Sequence, residues 1–120
     1  MLVGIDVLDV IRMEKFIQNE HFLGKYFTPY EAAYVSKTIR KTQSLAGIYC
    51  AKEAFLKALG IGLNGGIDLN QIEVNHDDRG KPYIKLTDSA KLIVAASGIK
   101  DVQISISHTD EVCTAICIMQ

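Results

Sequence analysis

The 120-residue chain has no tryptophan, two prolines and three cysteines, and its thirteen Lys+Arg are matched by fourteen Asp+Glu. Each shortage excludes something. No apolar run approaches the ~20 residues that span a bilayer, so a soluble chain without a membrane partner is expected. There is no Pro- or Ser-rich linker, low-complexity segment or repeat, and residues 1–120 read as one domain. A formal charge of −1 and a pI near 6.3 argue against a strongly basic nucleic-acid binder and against an acidic disordered tail. Cys50, Cys113 and Cys117 form neither a C-x-x-C pair nor a cluster with a nearby His, so no zinc site is expected. The N-terminal MLVGIDVLDV has no basic leader and is interrupted by Asp6 and Asp9, which fits a cytoplasmic protein better than a secreted one.

What is abundant is apolar. Hydrophobic residues make up 48% of the chain and mean hydropathy is +0.14, whereas a domain of this size buries about two-thirds of its unfolded surface. Oligomerisation is therefore expected.

Periodicity predicts a buried strand over Leu2–Val7 and an amphipathic helix from Leu8 to about Glu20. Thr28-Pro29-Tyr30-Glu31 is a helix start, with Thr28 as cap, Pro29 at the first helical position and Glu31 completing a capping box, and that helix should end near Lys37. The strongest helical stripe runs from Ser44 to Leu59, with Gly60 placed to end it. Ile72–Val74 and Tyr83–Leu86 read as strands joined by a turn-rich segment, Asp88–Ala96 as a short helix, and 102–107 with 112–119 as a hairpin. The second hairpin strand is apolar on both faces, as expected of a central strand or one at a subunit interface. The expected class is α+β, a mostly antiparallel sheet packed with a long central helix.

Several residues stand out chemically. Gly60-x-Gly62-x-x-Gly65 matches the dinucleotide string, but a helix precedes it and a strand follows, the reverse of what that fingerprint needs. It reads as a helix cap and loop, or as a loop admitting a ligand to the backbone. Asp6 places a carboxylate in an apolar strand and requires an ion pair, a cap or a metal. Lys52 falls within the apolar stripe of the long helix, so it must snorkel or find an anion. Glu53 and Lys57 stand one turn apart beside small Ala46 and Cys50, as a surface ion pair or as the edge of a ligand site. His108 ends a strand as a turn residue, and no nucleophile elbow accompanies it. Across 35–57, Lys37, Arg40, Lys41, Lys52 and Lys57 face only Glu53, a basic stretch suited either to solvent or to phosphates and an acidic partner.

Taken in order, Gly4-Ile-Asp6 with Arg12, Phe27-Thr28 with Glu31, Ala51-Lys52-Glu53-Ala54 with Lys57-Ala-Leu-Gly60-x-Gly62, Asn75 with Gly80-Lys81-Pro82, and Ile104-Ser-Ile-Ser-His108 resemble bacterial holo-[acyl-carrier-protein] synthase. The match is collinear from about residue 4 to 118. The resemblance implies a 4′-phosphopantetheinyl transferase that moves the phosphopantetheine arm of coenzyme A to a serine of apo acyl carrier protein and releases adenosine 3′,5′-bisphosphate. It implies a homotrimer with active sites between subunits. Asp6 and Glu53 match the carboxylates that bind Mg²⁺, and Glu53 or Lys57 would accept the serine proton. Arg40, Lys57, Gly60, Lys81, Pro82 and His108 match cofactor-contacting positions, His108 from a neighbouring subunit, and Arg12 matches a docking position for the acidic carrier. In one departure Ile48 stands where many members carry a basic residue, leaving a phosphate contact either missing or supplied by Arg40 or Lys41. The rival readings are a non-catalytic coenzyme A or nucleotide-binding oligomeric module, and a purely structural oligomerising domain.

Overall fold

Strand β1 (Leu2–Asp9) lies at one edge of a three-stranded antiparallel sheet whose middle strand is β5 (Val112–Met119) and whose other edge is β4 (Val102–His108). β1 runs the full length of β5, from Leu2 opposite Met119 to Asp9 opposite Val112. A second antiparallel pair joins β2 (Ile72–His76) to β3 (Pro82–Leu86). Among the described residues the strands are accompanied by the α-helices α1 (Glu14–Ile17), α2 (Glu20–Tyr26), α3 (Pro29–Ser36), α4 (Lys41–Leu59) and α5 (Asp88–Ala96) and by 3₁₀ turns at Val10–Met13 and Leu69–Gln71. The structure, a computed structural model, describes residues 1–62 and 65–120. The centre of the expected glycine loop, residues 63 and 64, lies outside them. Among the described residues no helix is long and apolar enough to cross a membrane.

The core is one layer of sheet against one face of α4. Cys113, Ala115, Cys117 and Met119 of β5 are buried against Leu45, Ala46, Cys50 and Ala54 of the helix. Gly60 ends α4 in the left-handed conformation, φ 76°, the expected glycine cap. α3 opens with the expected capping box, Thr28 Oγ1 accepting from the Glu31 amide at 3.2 Å and Glu31 Oε1 accepting from the Thr28 amide at 2.8 Å.

Gly4 is required by close approach. A Cβ there would stand 2.0 Å from the carbonyl oxygen of Ala54 and 2.4 Å from the amide nitrogen of Ala58, both rigid backbone atoms. Gly4→Ala must push β1 off α4, and a loss of roughly 4 kcal/mol in a urea-unfolding titration is expected. Retention of wild-type stability would mean that the two elements are not held this closely.

The structure departs from the sequence reading in three places. Leu2–Val7 is not a buried strand: Gly4 and Leu8 turn inward, while Val3, Ile5 and Val7 are 54–66% exposed on the outer face of the sheet. The helix expected from Leu8 to Glu20 does not form as one element. Pairing with β5 holds Leu8 and Asp9 in the ladder, a 3₁₀ turn follows at Val10–Met13, and Asn19 caps the separate α2 by accepting from the amides of His21 and Phe22. The buried residues there are Val10, Met13 and Phe16, with Ile11 outside at 69% exposure. Finally, α4 begins three residues before Ser44, because Asp110 of the β4–β5 turn holds its first turn through Arg40 (2.7 Å) and Gln43 (3.3 Å).

Candidate active site

The close packing of β1 on α4 determines what Asp6 meets. Lys57 Nζ donates to Asp6 Oδ1 at 2.9 Å, and the Cys50 thiol donates to Asp6 Oδ2 at 3.3 Å. Thr114 on β5 anchors the strand beneath, its hydroxyl donating to the Asp6 carbonyl at 2.8 Å. The Lys57 side chain is half-exposed and that of Asp6 mostly covered. Lys57 therefore pairs with the sequence-distant Asp6 rather than with Glu53 one turn away. Ala46 and Cys50 are fully buried, so the space beside them admits the strand and not a ligand.

Glu53 completes the group. Burial raises its carboxyl above the usual range, and the charge of Asp6 adds to the rise, while Tyr49, Lys57 and Arg12 oppose it. The same neighbourhood raises the Tyr49 phenol to about 12, chiefly through burial and then the charge of Glu53. Arg12, exposed on the 3₁₀ turn, thus stands beside Glu53 and Tyr49. Lys57 is held above the ordinary lysine value by its hydrogen bond to Asp6. Its cation is a fixed part of the site. The Cys50 thiol is raised by the neighbouring Cys113 thiol, by burial and by Asp6, which keeps it protonated and inert.

A carboxyl whose folded pKa is raised contributes most to stability below its unfolded value, 4.5, and that contribution is lost as pH rises through the folded value. Ionised Glu53 is thus a cost to the free fold at neutral pH. Glu53→Gln is expected to raise Tm at pH 7 in chelator, with the gain fading by pH 4. A lower Tm at pH 7 would contradict the strained-acid reading.

Lys52, counted in the basic stretch by sequence, is removed from the surface altogether. It is fully buried, with its ammonium on Glu31 Oε1 at 2.6 Å, the Tyr26 carbonyl at 2.8 Å and the Leu69 carbonyl at 3.0 Å. The other oxygen of Glu31 accepts from the Val74 amide at 2.7 Å. Every donor and both carboxylate oxygens are used, so the pair ties α4, α3 and β2 together. Arg40 is also engaged, on exposed Asp110. The basic stretch is consequently smaller and more neutralised than its sequence suggests.

A second group lies on the other side of α4. Ser44, Gly47 and Ile48 of α4, Pro82 of β3 and Ile106 and His108 of β4 line a cavity of about 210 Å³, together with Tyr34, Gln43, His76 and Gly80. Pro82 and His108 thus share one cavity within one chain. Lys81 follows Gly80 in the turn, its amide donating to Asp77 Oδ1 at 2.9 Å. His76 stacks on Tyr34 with ring centres 3.9 Å apart, and burial lowers its pKa. Sequence reading missed Tyr34, Gln43 and His76, which carry no motif and meet only through the fold. None of Asp6, Glu53 and Lys57 lines this cavity or the larger, open cleft of about 990 Å³ beside Arg40, Lys41 and Asp110. At about 100° per residue, Glu53 lies roughly 140° around α4 from Ile48. The acid cluster and the cavity therefore occupy different faces of the helix.

The sequence model of the 4′-phosphopantetheinyl transferase superfamily matches residues 2–117. The chain belongs to that superfamily. It is therefore an enzyme of the phosphopantetheinyl transferase class. It is 36% identical over 119 residues to a holo-[acyl-carrier-protein] synthase of Geotalea daltonii, covering 98% of this chain and 95% of that protein. It is 41% identical over 108 residues to the holo-[acyl-carrier-protein] synthase of Halothermothrix orenii, covering 88% and 86% of the two chains. Its fold matches the Helicobacter pylori holo-[acyl-carrier-protein] synthase in complex with coenzyme A, with a TM-score of 0.87, 26% identity, and 99% and 100% of the two chains covered.

Proposed function

We propose that this transferase moves the 4′-phosphopantetheine arm of coenzyme A to a serine hydroxyl of apo acyl carrier protein, releasing adenosine 3′,5′-bisphosphate. The observation that carries the reading is the convergence of Asp6, Glu53 and Lys57, from two elements, on one partly covered surface. Coenzyme A in complex with the Helicobacter pylori relative supports the co-substrate.

The acids fit Mg²⁺. Among the described residues no cage of three or more His, Cys, Asp or Glu is gathered, and Mg²⁺ needs none, since it takes one or two carboxylates and fills its octahedron with water and phosphate oxygens. Burial and the neighbouring Asp6 raise the Glu53 carboxyl, and a divalent cation held by the two acids would relieve that. Asp6 and Glu53 would hold it, and when bound it supplies charge neutralisation at the pyrophosphate.

The chain's own groups do the rest. The serine oxygen bonds to the phosphorus carrying the pantetheine arm as that phosphorus loses its bridging oxygen to adenosine 3′,5′-bisphosphate. Lys57, kept cationic by Asp6, stabilises the charge that develops. A lysine so held is a poor proton acceptor. Glu53, whose carboxyl burial holds above the usual range, is the better base for the serine proton, directly or through water. Arg12, exposed beside Glu53, suits the approach of an acidic carrier. Gly60, by closing α4 with its amide on the Lys57 carbonyl at 3.1 Å, fixes the backbone near the pyrophosphate.

On this reading the nucleotide half of coenzyme A enters the cavity of Pro82 and His108, with Lys81 and Arg40 near its phosphates. Ile48 gives that cavity an apolar wall where the family resemblance implies a cation. Because the cavity and the acid cluster face away from each other, one cofactor meets both only where two chains join. The homotrimer is proposed on that ground and on the outward row of Val3, Ile5 and Val7. The proposed compartment is the cytoplasm. Mass spectrometry of apo carrier protein incubated with coenzyme A and Mg²⁺ is expected to show the phosphopantetheine adduct. An unmodified carrier at saturating coenzyme A would favour the non-catalytic binding module.

A further inference from the structure

Tyr49 falls within the helical stripe of α4 and belongs to none of the motifs on which the family resemblance stands. It is half-buried, and its ring is held from two sides. The ring centre lies 6.5 Å from that of Phe16 and 6.3 Å from that of Phe27, and both phenylalanines are buried. Phe27 is itself fixed by the buried Lys52 ammonium, 5.0 Å from its ring centre. Phe16 meets Tyr26 and Phe27 edge-on at 5.5 and 6.0 Å. Two torsions place a tyrosine ring, so packing the ring fixes the hydroxyl.

That hydroxyl stands at Glu53. Residues 49 and 53 are one turn apart on α4, about 40° around the axis at 100° per residue, and side chains lean back towards the helix N-terminus, which brings Glu53 over Tyr49. The phenol reaches the carboxyl as a hydrogen-bond donor. The other groups act on Glu53 through charge: Asp6 repels it, and Lys57 and Arg12 attract it. The Lys57 ammonium is taken by Asp6 at 2.9 Å. Charge alone leaves a carboxylate free to turn, whereas a donor on a fixed ring gives it a direction.

A neutral donor suits an acid that takes a cation. A lysine or arginine in the same place would repel a divalent ion, and a phenol adds no charge. A carboxylate accepts at both oxygens, so it can serve a phenol and a cation together. Outer hydrogen bonds of this kind orient metal-ligating carboxylates, and losing one weakens metal binding about 10–100-fold.

We propose that Tyr49 is a positioning residue for the metal, its hydroxyl turning the Glu53 carboxylate towards the site that Glu53 shares with Asp6. The proposal rests on the Asp6–Glu53 metal pair of the transferase reading and deepens it. Tyr49 acts through Glu53 and touches neither cofactor nor carrier serine.

Tyr49→Phe tests it, because the ring stays between Phe16 and Phe27 and only the hydroxyl is removed. Mn²⁺ takes the same oxygen ligands as Mg²⁺, and its binding to the free chain, without coenzyme A or carrier, is read by electron paramagnetic resonance of the unbound ion. Tyr49→Phe is expected to weaken that binding about tenfold while Tm stays that of the wild type. In carrier-modification kinetics the Mg²⁺ concentration giving half-maximal rate should rise by the same factor, and excess Mg²⁺ should restore kcat. Equal Mn²⁺ affinities would overturn the proposal, as would a loss of kcat that excess Mg²⁺ does not restore. A wild type that binds no Mn²⁺ would overturn it together with the metal pair. If Mn²⁺ binding falls as expected but neither chain modifies the carrier, the transferase reading fails and the positioning role stands.

Discussion

Asp6→Ala and Glu53→Ala are each expected to lower kcat/KM for carrier modification by roughly 10³-fold, the equivalent of about 4 kcal/mol of lost charge stabilisation. Both chains should remain folded. Asp6→Ala breaks an ion pair whose lysine is half-exposed, which is worth less than about 1 kcal/mol. The freed Cys50 thiol keeps an acceptor in the Cys113 carbonyl at 3.7 Å. Glu53→Ala removes an acid whose ionised form the fold disfavours. Circular dichroism and Tm measured beside the kinetics separate lost chemistry from lost structure. Full turnover by either variant would remove the assignment of Asp6 and Glu53 as a metal pair.

The largest stability effect is expected at Lys52. Lys52→Met leaves the Glu31 carboxylate buried without its cation and should cost about 3–5 kcal/mol in urea unfolding. Burial already holds Glu31 above the usual carboxylate range in spite of Lys52. Without the cation its folded pKa rises further, so the variant is most stable in acid and loses stability as pH rises through that value. The double variant Lys52→Met/Glu31→Leu should recover part of the loss, because no unpaired charge remains. A neutral Lys52→Met would show that the pair contributes nothing.

Lys52 illustrates what was legible in the sequence and what was not. Its place in the apolar stripe announced a need for an anion, but the partner, Glu31, was already accounted for as half of a capping box. One carboxylate serves both roles because each oxygen accepts independently, and local spacing carries no sign of that. Local signals performed well where they were local: the Thr28–Glu31 box, the Gly60 cap and the β4–β5 hairpin all form as read. They failed where tertiary pairing won. Leu8 has helical spacing with Ile11 yet is drawn into the β1–β5 ladder, and the first turn of α4 depends on Asp110, 67 residues beyond Gln43. In the site, Asp6 was visible as an anomaly and its lysine was misassigned to Glu53. Gln43 and His76 were invisible, since they carry no motif and meet at the cavity only through the fold.

The outward apolar strand and the two faces of α4 give the shared-site account its sharpest consequence. Glu53→Ala disables the acid cluster, and His108→Glu, at an exposed strand end, places a negative charge at the nucleotide cavity. Each chain alone should be nearly inactive. Co-expressed as mixed oligomers, verified by native mass spectrometry, they should recover a substantial fraction of wild-type carrier modification, because some interfaces join an intact acid cluster to an intact cavity. Mixed oligomers no more active than either variant alone would contradict the account.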